Sequence, residues 1–266
     1  MKQKIRVKNK YFRRYLGVIF ASLFFILGPF SGTALADAGF TVTESSGSTA
    51  VSESGSTDTF TVVLDEQPSS DVVFSVSTGD SGEATVSPTT LTFTSGNWNS
   101  AQTVTVTGVN DDLIDGSQTT TITLSVVDAI SDDDFDSLAD KTVSVSTTDN
   151  DTASFTVAQS SGSTAVSESG STDTFTVVLG AQPASDVVIS VTSGDTGEAT
   201  VSPATLTFTS GNWNSAQTVT VTGVDDSLVD GSQTTAATIS VVDASSDNDF
   251  DGVANQTTNI ETTDND

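Results

Sequence analysis

Carboxylates are the one reactive group this chain holds in quantity. It has 35 Asp and Glu against eight Lys and Arg, with no His and no Cys. Seven of the eight basic residues precede residue 15, which leaves Lys141 as the only cation beyond that point. Zinc, copper and iron would lack their usual nitrogen and sulfur ligands. Neither a Ser-His-Asp nor a Cys-His nucleophile arrangement can be assembled, and no disulfide is possible. A polyanion of this kind cannot hold a phosphate backbone, which excludes nucleic acid, and it is repelled by anionic membrane surfaces. What remains is hard oxygen from Asp, Glu, Asn, Ser, Thr and backbone carbonyls. Such donors suit a hard cation, calcium first and magnesium second.

The acids recur at fixed spacing. Val51-Ser52-Glu53 returns as Val166-Ser167-Glu168, GVNDDLIDG at 108–116 as GVDDSLVDG at 223–231, and TDND at 148–151 as TDND at 263–266. The offset is 115 residues throughout, without a gap. A repeat this long is a whole domain rather than a solenoid unit. The expected organisation is a first domain over 37–151 and a second over 152–266.

Residues 1–36 read as a cleavable export signal. A basic stretch at 2–14 precedes the apolar run LGVIFASLFFIL at 16–27, and Ala34-Leu35-Ala36 offers a small-x-small cleavage site. The apolar run is well short of the ~20 residues that span a bilayer. No later stretch is apolar enough to insert. The expected location is therefore secreted, cell-surface or periplasmic.

The elements that must position the acids show period-two alternation. Phe60, Val62 and Leu64 fall on one face of a strand. Leu91/Phe93, Val104/Val106, Ile122/Leu124 and Val143/Val145 do the same, and Thr and Val dominate. Gly, Ser, Asp and Pro clusters separate the runs. About seven short strands per unit predict an all-β fold, two tandem immunoglobulin-like antiparallel β-sandwiches. Strands A to G are expected near 40–43, 58–64, 71–77, 85–93, 102–108, 118–127 and 142–147. Trp98 and Trp213 lie in the D–E connection. Each is expected to cap one end of a core; a sugar-stacking platform is the alternative.

Strand direction then sorts the loops. The A–B, C–D and E–F loops and the end of strand G share one pole. In the first unit that pole collects Glu53, Asp80, Asp111, Asp112, Asp115, Asp149 and Asp151. Two carboxylates about 4 Å apart repel by ~4 kcal/mol at an effective dielectric near 20, so a divalent cation is expected among them. The bland alternative is a solvated acidic face, since Asp is common in turns for local hydrogen-bonding reasons.

The Val-x-Glu motif, the Asp-rich segment after TVTVTG and the acidic tail together resemble the Calx-beta family, and the resemblance covers both units. It implies calcium sites built from the motif Glu, a C–D acid, E–F acids and the terminal run. In the first unit these are the seven residues above. In the second they are Glu168, Asp195, Asp226, Asp230, Asp264 and Asp266, with Asp225 as an extra candidate. The sequence departs from the family at Ser54 and Ser169, where Gly usually follows the Glu. It also departs at Asn150 and Asn265 within the terminal run. Ser227 stands where the first unit has Asp112, so the second unit is expected to bind fewer ions or bind them more weakly.

The expected protein is a non-enzymatic, exported calcium-binding pair of sandwiches, serving as a calcium-stiffened spacer or adhesion module. Its partners would be calcium ions and a cell-surface protein, a glycan or another copy of the same domain. A carbohydrate-binding module using the two Trp residues and an inert acidic linker are the alternatives. A two-carboxylate glycosidase is disfavoured, because such chemistry needs a carboxyl in an apolar cleft. At the joint, the first unit's acidic pole is expected to face the second unit's F–G loop, with Asp247, Asn248, Asp249 and Asp251.

Overall fold

The computed structural model describes residues 38–266; the expected export signal at 1–36 lies outside them. Strands form where Thr, Val and Phe alternate, because a β-branched or aromatic side chain packs well on a half-buried pleated surface. The first repeat supplies β1 (Phe40–Glu44), β2 (Thr49–Ser52), β3 (Thr57–Leu64), β4 (Val72–Thr78) and β5 (Ala84–Ser87). It continues with β6 (Thr90–Phe93), β7 (Gln102–Gly108), β8 (Gln118–Val126) and β9 (Lys141–Thr148). The second repeat supplies β10 (Phe155–Gln159), β11 (Thr164–Ser167), β12 (Thr172–Leu179), β13 (Val187–Ser193) and β14 (Ala199–Ser202). It ends with β15 (Thr205–Phe208), β16 (Gln217–Gly223), β17 (Gln233–Val241) and β18 (Gln256–Thr263). Among the described residues no helix is long and apolar enough to cross a membrane.

Each repeat is a β-sandwich. In the first, the order β1-β3-β7-β5 makes a four-stranded sheet and β2-β9-β8-β4-β6 a five-stranded one. The second repeats this with β10-β12-β16-β14 and β11-β18-β17-β13-β15. Between the sheets lie the alternating residues expected from the sequence: Phe60, Val62, Leu64, Leu91, Phe93, Val104, Val106, Ile122, Leu124, Val143 and Val145, all buried. Full burial of one such side chain is worth about 1.5–3 kcal/mol. Trp98 and Trp213 pack half-buried against their respective cores, in keeping with the core-capping expectation.

Two differences from the expected strands have physical causes. The D strand is not continuous over 85–93. Pro88 has no N–H to give a ladder, and the chain switches sheets there, with β5 in one and β6 in the other. The A strand also divides. After β1 the chain turns at Gly47, whose φ of 80° suits glycine, and crosses to the other sheet as β2. There β2 pairs in parallel with β9, and β11 pairs likewise with β18, so the sandwiches are not purely antiparallel. This crossing places Glu53 directly beyond β2, beside the end of β9.

The described residues form one compact unit. The joint between sandwiches differs from expectation. It is made by the B–C loop of the second sandwich rather than its F–G loop. Gln182 N–H donates to the Asp112 carbonyl at 2.7 Å, and Ile114 N–H donates to the Gln182 carbonyl at 3.2 Å. Leu113 and Gln182 thus form a one-residue parallel bridge, and Ile114 packs against the second core. Asp247 turns inward instead. Its Oδ2 accepts the Ser185 N–H at 2.7 Å and its Oδ1 the Asp249 N–H at 3.2 Å.

Candidate metal centre

Glu53 is brought to the pole by close backbone packing. Its N–H donates to the Thr148 carbonyl at 3.1 Å, which continues the β2–β9 pairing by one residue. Gly108, the last residue of β7, runs against Ser52 so closely that a Cβ there would sit 2.1 Å from the Ser52 carbonyl oxygen. The glycine ending TVTVTG is therefore a packing requirement. The glycine displaced by Ser54 is found at Gly55, whose N–H closes a turn onto the Ser52 carbonyl at 3.1 Å and whose φ is 82°.

Glu53 is 2 % exposed. Oxygens of Glu53, Asp111 and Asp151 lie within 4.8 Å of one another. Three distant segments meet here, after β2, after β7 and after β9. Local donors hold them in place. Asp111 Oδ1 accepts the Leu113 N–H at 2.8 Å. Asp149 Oδ2 accepts Gly116 N–H at 2.9 Å and Asp115 N–H at 3.2 Å, and its Oδ1 accepts Asp151 N–H at 2.7 Å. Glu53 Oε2 accepts the Asn150 N–H at 3.2 Å. The strand tail is thereby laced to the E–F loop.

Of the seven acids expected in the first sandwich, Glu53, Asp111 and Asp151 converge as ligand-competent oxygens. Asp149 sits beside them as a backbone acceptor. Asp112 is exposed and lends its carbonyl to the joint. Asp115 is exposed, and Asp80 Oδ1 is engaged by the Gly82 N–H of its own turn at 2.8 Å. In the second sandwich Glu168, Asp226 and Asp266 form the matching group within 4.8 Å. Asp264 holds Gly231 N–H at 2.7 Å and Asp266 N–H at 2.8 Å. Asp225 accepts from the Asn265 amide at 3.1 Å, Asp195 from the Gly197 N–H at 2.9 Å, and Asp230 is exposed.

The electrostatics single out one residue the sequence reading passed over. Glu83 precedes β5, and burial raises its carboxyl above the usual range, with Asp115, Asp111, Asp80 and Asp149 adding repulsion. Glu198 is raised in the same way, by burial and then by Asp230, Glu168, Asp195 and Asp226. Both lie in Gly-Glu-Ala, repeated at 82–84 and 197–199, just ahead of a buried alanine. That repeated triplet was the available signal.

Burial likewise raises Glu53, opposed by the Asn150 N–H and reinforced by Asp149, Asp111 and Asp151. Asp151 is raised by burial and then by Asp149, Asp112 and Asp111. Among the described residues, Glu83 Oε2, Asp151 Oδ2 and Glu198 Oε2 are buried oxygens with no hydrogen-bond donor. Lys141, the one basic residue among the described residues, cannot help. Its ammonium donates to the Phe40 carbonyl and lies 4.7 Å from the centre of the Phe40 ring, and Phe40 pairs with Leu64 at the end of β3 opposite to this pole. An all-oxygen donor set, net negative, with orphaned buried lone pairs, fits a hard divalent cation.

The described fold is similar to many solved structures, among them these three. One is the calcium binding domain CBD12 of CALX1.1, at 15% identity over 76% of this chain and 79% of that one, with a TM-score of 0.32. Another is the apo-form Calx CBD1 domain, at 13% identity over 42% and 98%, TM-score 0.31. The third comprises domains 4 and 5 of the S-layer protein SbsC, at 18% identity over 86% and 100%, TM-score 0.33. No protein-family model matches the chain, and no curated protein matches it in sequence.

Proposed function

We propose that this chain is a non-enzymatic calcium-binding pair of Calx-beta-like sandwiches, with modules over 37–151 and 152–266 behind an export signal at 1–36. The observation that carries the reading is a buried Glu53 facing Asp111 and Asp151 with no basic side chain among the described residues to neutralise them, repeated at Glu168, Asp226 and Asp266. Calcium takes six to eight oxygens at roughly 2.3–2.6 Å and tolerates irregular geometry. Glu53, Asp111 and Asp151 would hold the ion, with Glu83 and Asp149 beside them, and the ion would supply the charge the pole lacks. The second site is the weaker, because Asp266 is exposed where Asp151 is half-buried.

Asp111 stands next to Asp112, whose carbonyl holds the second sandwich. Fixing Asp111 with an ion would fix the joint, making the pair a calcium-stiffened spacer or adhesion module at the cell surface or in the secreted fraction. Calorimetric titration of residues 37–266 with calcium, joined to melting curves in calcium and in chelator, tests the binding. Calcium at 100 times its dissociation constant adds about 2.7 kcal/mol per site. Equal melting points, with no titration heat, would remove calcium from the account and leave an inert acidic linker. Small-angle scattering tests the stiffening: the maximum dimension should be better defined with calcium than with chelator.

A further inference from the structure

The two E–F loops carry the same kind of side chains in opposite surroundings. Leu113 and Ile114 of the first sandwich are half-buried, because the loop docks on the second sandwich at Gln182 and Ile114 reaches the second core. Their counterparts Leu228 and Val229 are 61 % and 81 % exposed. They are two of the three large apolar side chains exposed among the described residues. A loop otherwise built of Asp, Ser and Gly has no solubility reason to present them to water.

The first sandwich carries the receptor for such a loop. The segment that receives Ile114 is Ala181-Gln182-Pro183, and its counterpart is Glu66-Gln67-Pro68. Among the described residues the backbone of Gln67 has no partner of the kind Gln182 finds in Asp112 and Ile114. Ala38 and Leu138 pack on the first core as Ala153 and Val253 pack on the second, so these apolar residues at the ends of the cores are repeated too. One chain thus holds both halves of a contact whose geometry it already displays internally.

We propose that Leu228 and Val229 dock on the Glu66-Gln67-Pro68 loop of a second copy of this chain, head to tail. Such a contact is heterologous, so it grows open linear assemblies, or a ring where the rotation between copies closes. One residue sets its strength. Ala181 at the internal joint is 1 % exposed. The same place in the second copy is Glu66, whose carboxylate the contact buries beside an acidic loop without a partner. The association is therefore weak and reversible, unlike the covalently linked joint.

Sedimentation velocity on residues 37–266, which contain both cores and every described sheet, tests this across loads up to about 1 mM, where small interfaces assemble. Calcium and chelator arms are run side by side. The sedimentation coefficient should rise with load in at least one arm. The rise should vanish in Val229→Asp, whose exposed side chain leaves the fold intact by circular dichroism, and should appear at least tenfold lower in load for Glu66→Ala. A constant coefficient in both arms overturns the proposal, as does assembly that Val229→Asp does not weaken. Assembly lost in Val229→Asp but indifferent to Glu66→Ala overturns it as well, because loops pairing with each other would behave so. Calcium binding, read separately by calorimetry, succeeds or fails independently of these outcomes.

Discussion

Replacing Glu53 by Gln should stabilise the metal-free protein and shrink the stability that calcium adds. The substitution keeps the side chain's shape, and Gln retains a carbonyl oxygen for the Asn150 N–H. It removes one of three charges whose oxygens lie within 4.8 Å of one another. At that separation each pair costs about 3.5 kcal/mol at an effective dielectric near 20. Salt and loop relaxation reduce this, so the net relief without metal is about 1–2 kcal/mol. In chelator, Glu53→Gln should raise the melting midpoint by about 5 °C. In calcium it should do the reverse to the ligand-induced gain. A tenfold weaker ion, at a concentration 100 times the wild-type dissociation constant, cuts the stabilisation from about 2.7 to about 1.4 kcal/mol. Differential scanning calorimetry of wild type and variant in both buffers gives the four midpoints. Identical shifts with and without calcium would refute the reasoning, because they would show that the charge of Glu53 has no dealings with an ion.

Metal-free stability should peak in mildly acidic buffer. Glu53, Glu83, Asp151, Glu168 and Glu198 are raised by burial, so the unfolded chain releases these protons first and stability falls as pH climbs above the ordinary carboxylate range. Below that range the trend reverses. Asp58 and Asp173, lowered by serine and backbone donors, and Asp132, lowered to about 2 by the Ser70 N–H and the Ser69 hydroxyl, are lost as acceptors on protonation. Melts from pH 2 to 8 in chelator read both limbs, and calcium affinity should weaken as pH falls through the raised values. Asp132→Ala should cost about 3 kcal/mol equally with and without calcium, because it removes the buried carboxylate that accepts the Ser69 N–H, the Ser69 hydroxyl and the Ser70 N–H at the far pole; denaturant unfolding measures it. Gly108→Ala should destabilise by several kcal/mol, the range of a forced overlap in a packed interior, and abolish calcium binding at the first site by pushing Ser52 and Glu53 outward.

The alternation of apolar residues made the strands legible, because each sheet buries one face only and register is thereby fixed. Phe60-Val62-Leu64 and Ile122-Leu124 needed no tertiary knowledge. What period two could not reveal was a strand changing sheets. On both sides of Pro88 the residues still alternate, and β1 and β2 each look like ordinary strand. The pole itself was legible through Val51-Ser52-Glu53 and the tail Asp149-Asn150-Asp151, since strand direction alone assigns loops to ends. Asp80 and Glu83 are placed differently for a local reason. Asp80 turns back to its own Gly82 N–H, while Glu83, one residue from the sheet, is carried inward with it. Asp132 and Asp247, inside acidic runs resembling solvated loops, are buried acceptors tying the F–G loop to the B–C loop.

Lys141 has a consequence of a different kind. It opens β9, pairs with Leu124 of β8, and its ammonium is spent on Phe40; at the matching place Gln256 donates to the Phe155 carbonyl. Beyond residue 14 no other lysine or arginine exists in the sequence. Beyond residue 14, digestive enzymes that cut after basic residues thus find a single peptide bond, Lys141–Thr142, and it is woven into a sheet. The described residues offer trypsin-like proteases almost nothing to recognise.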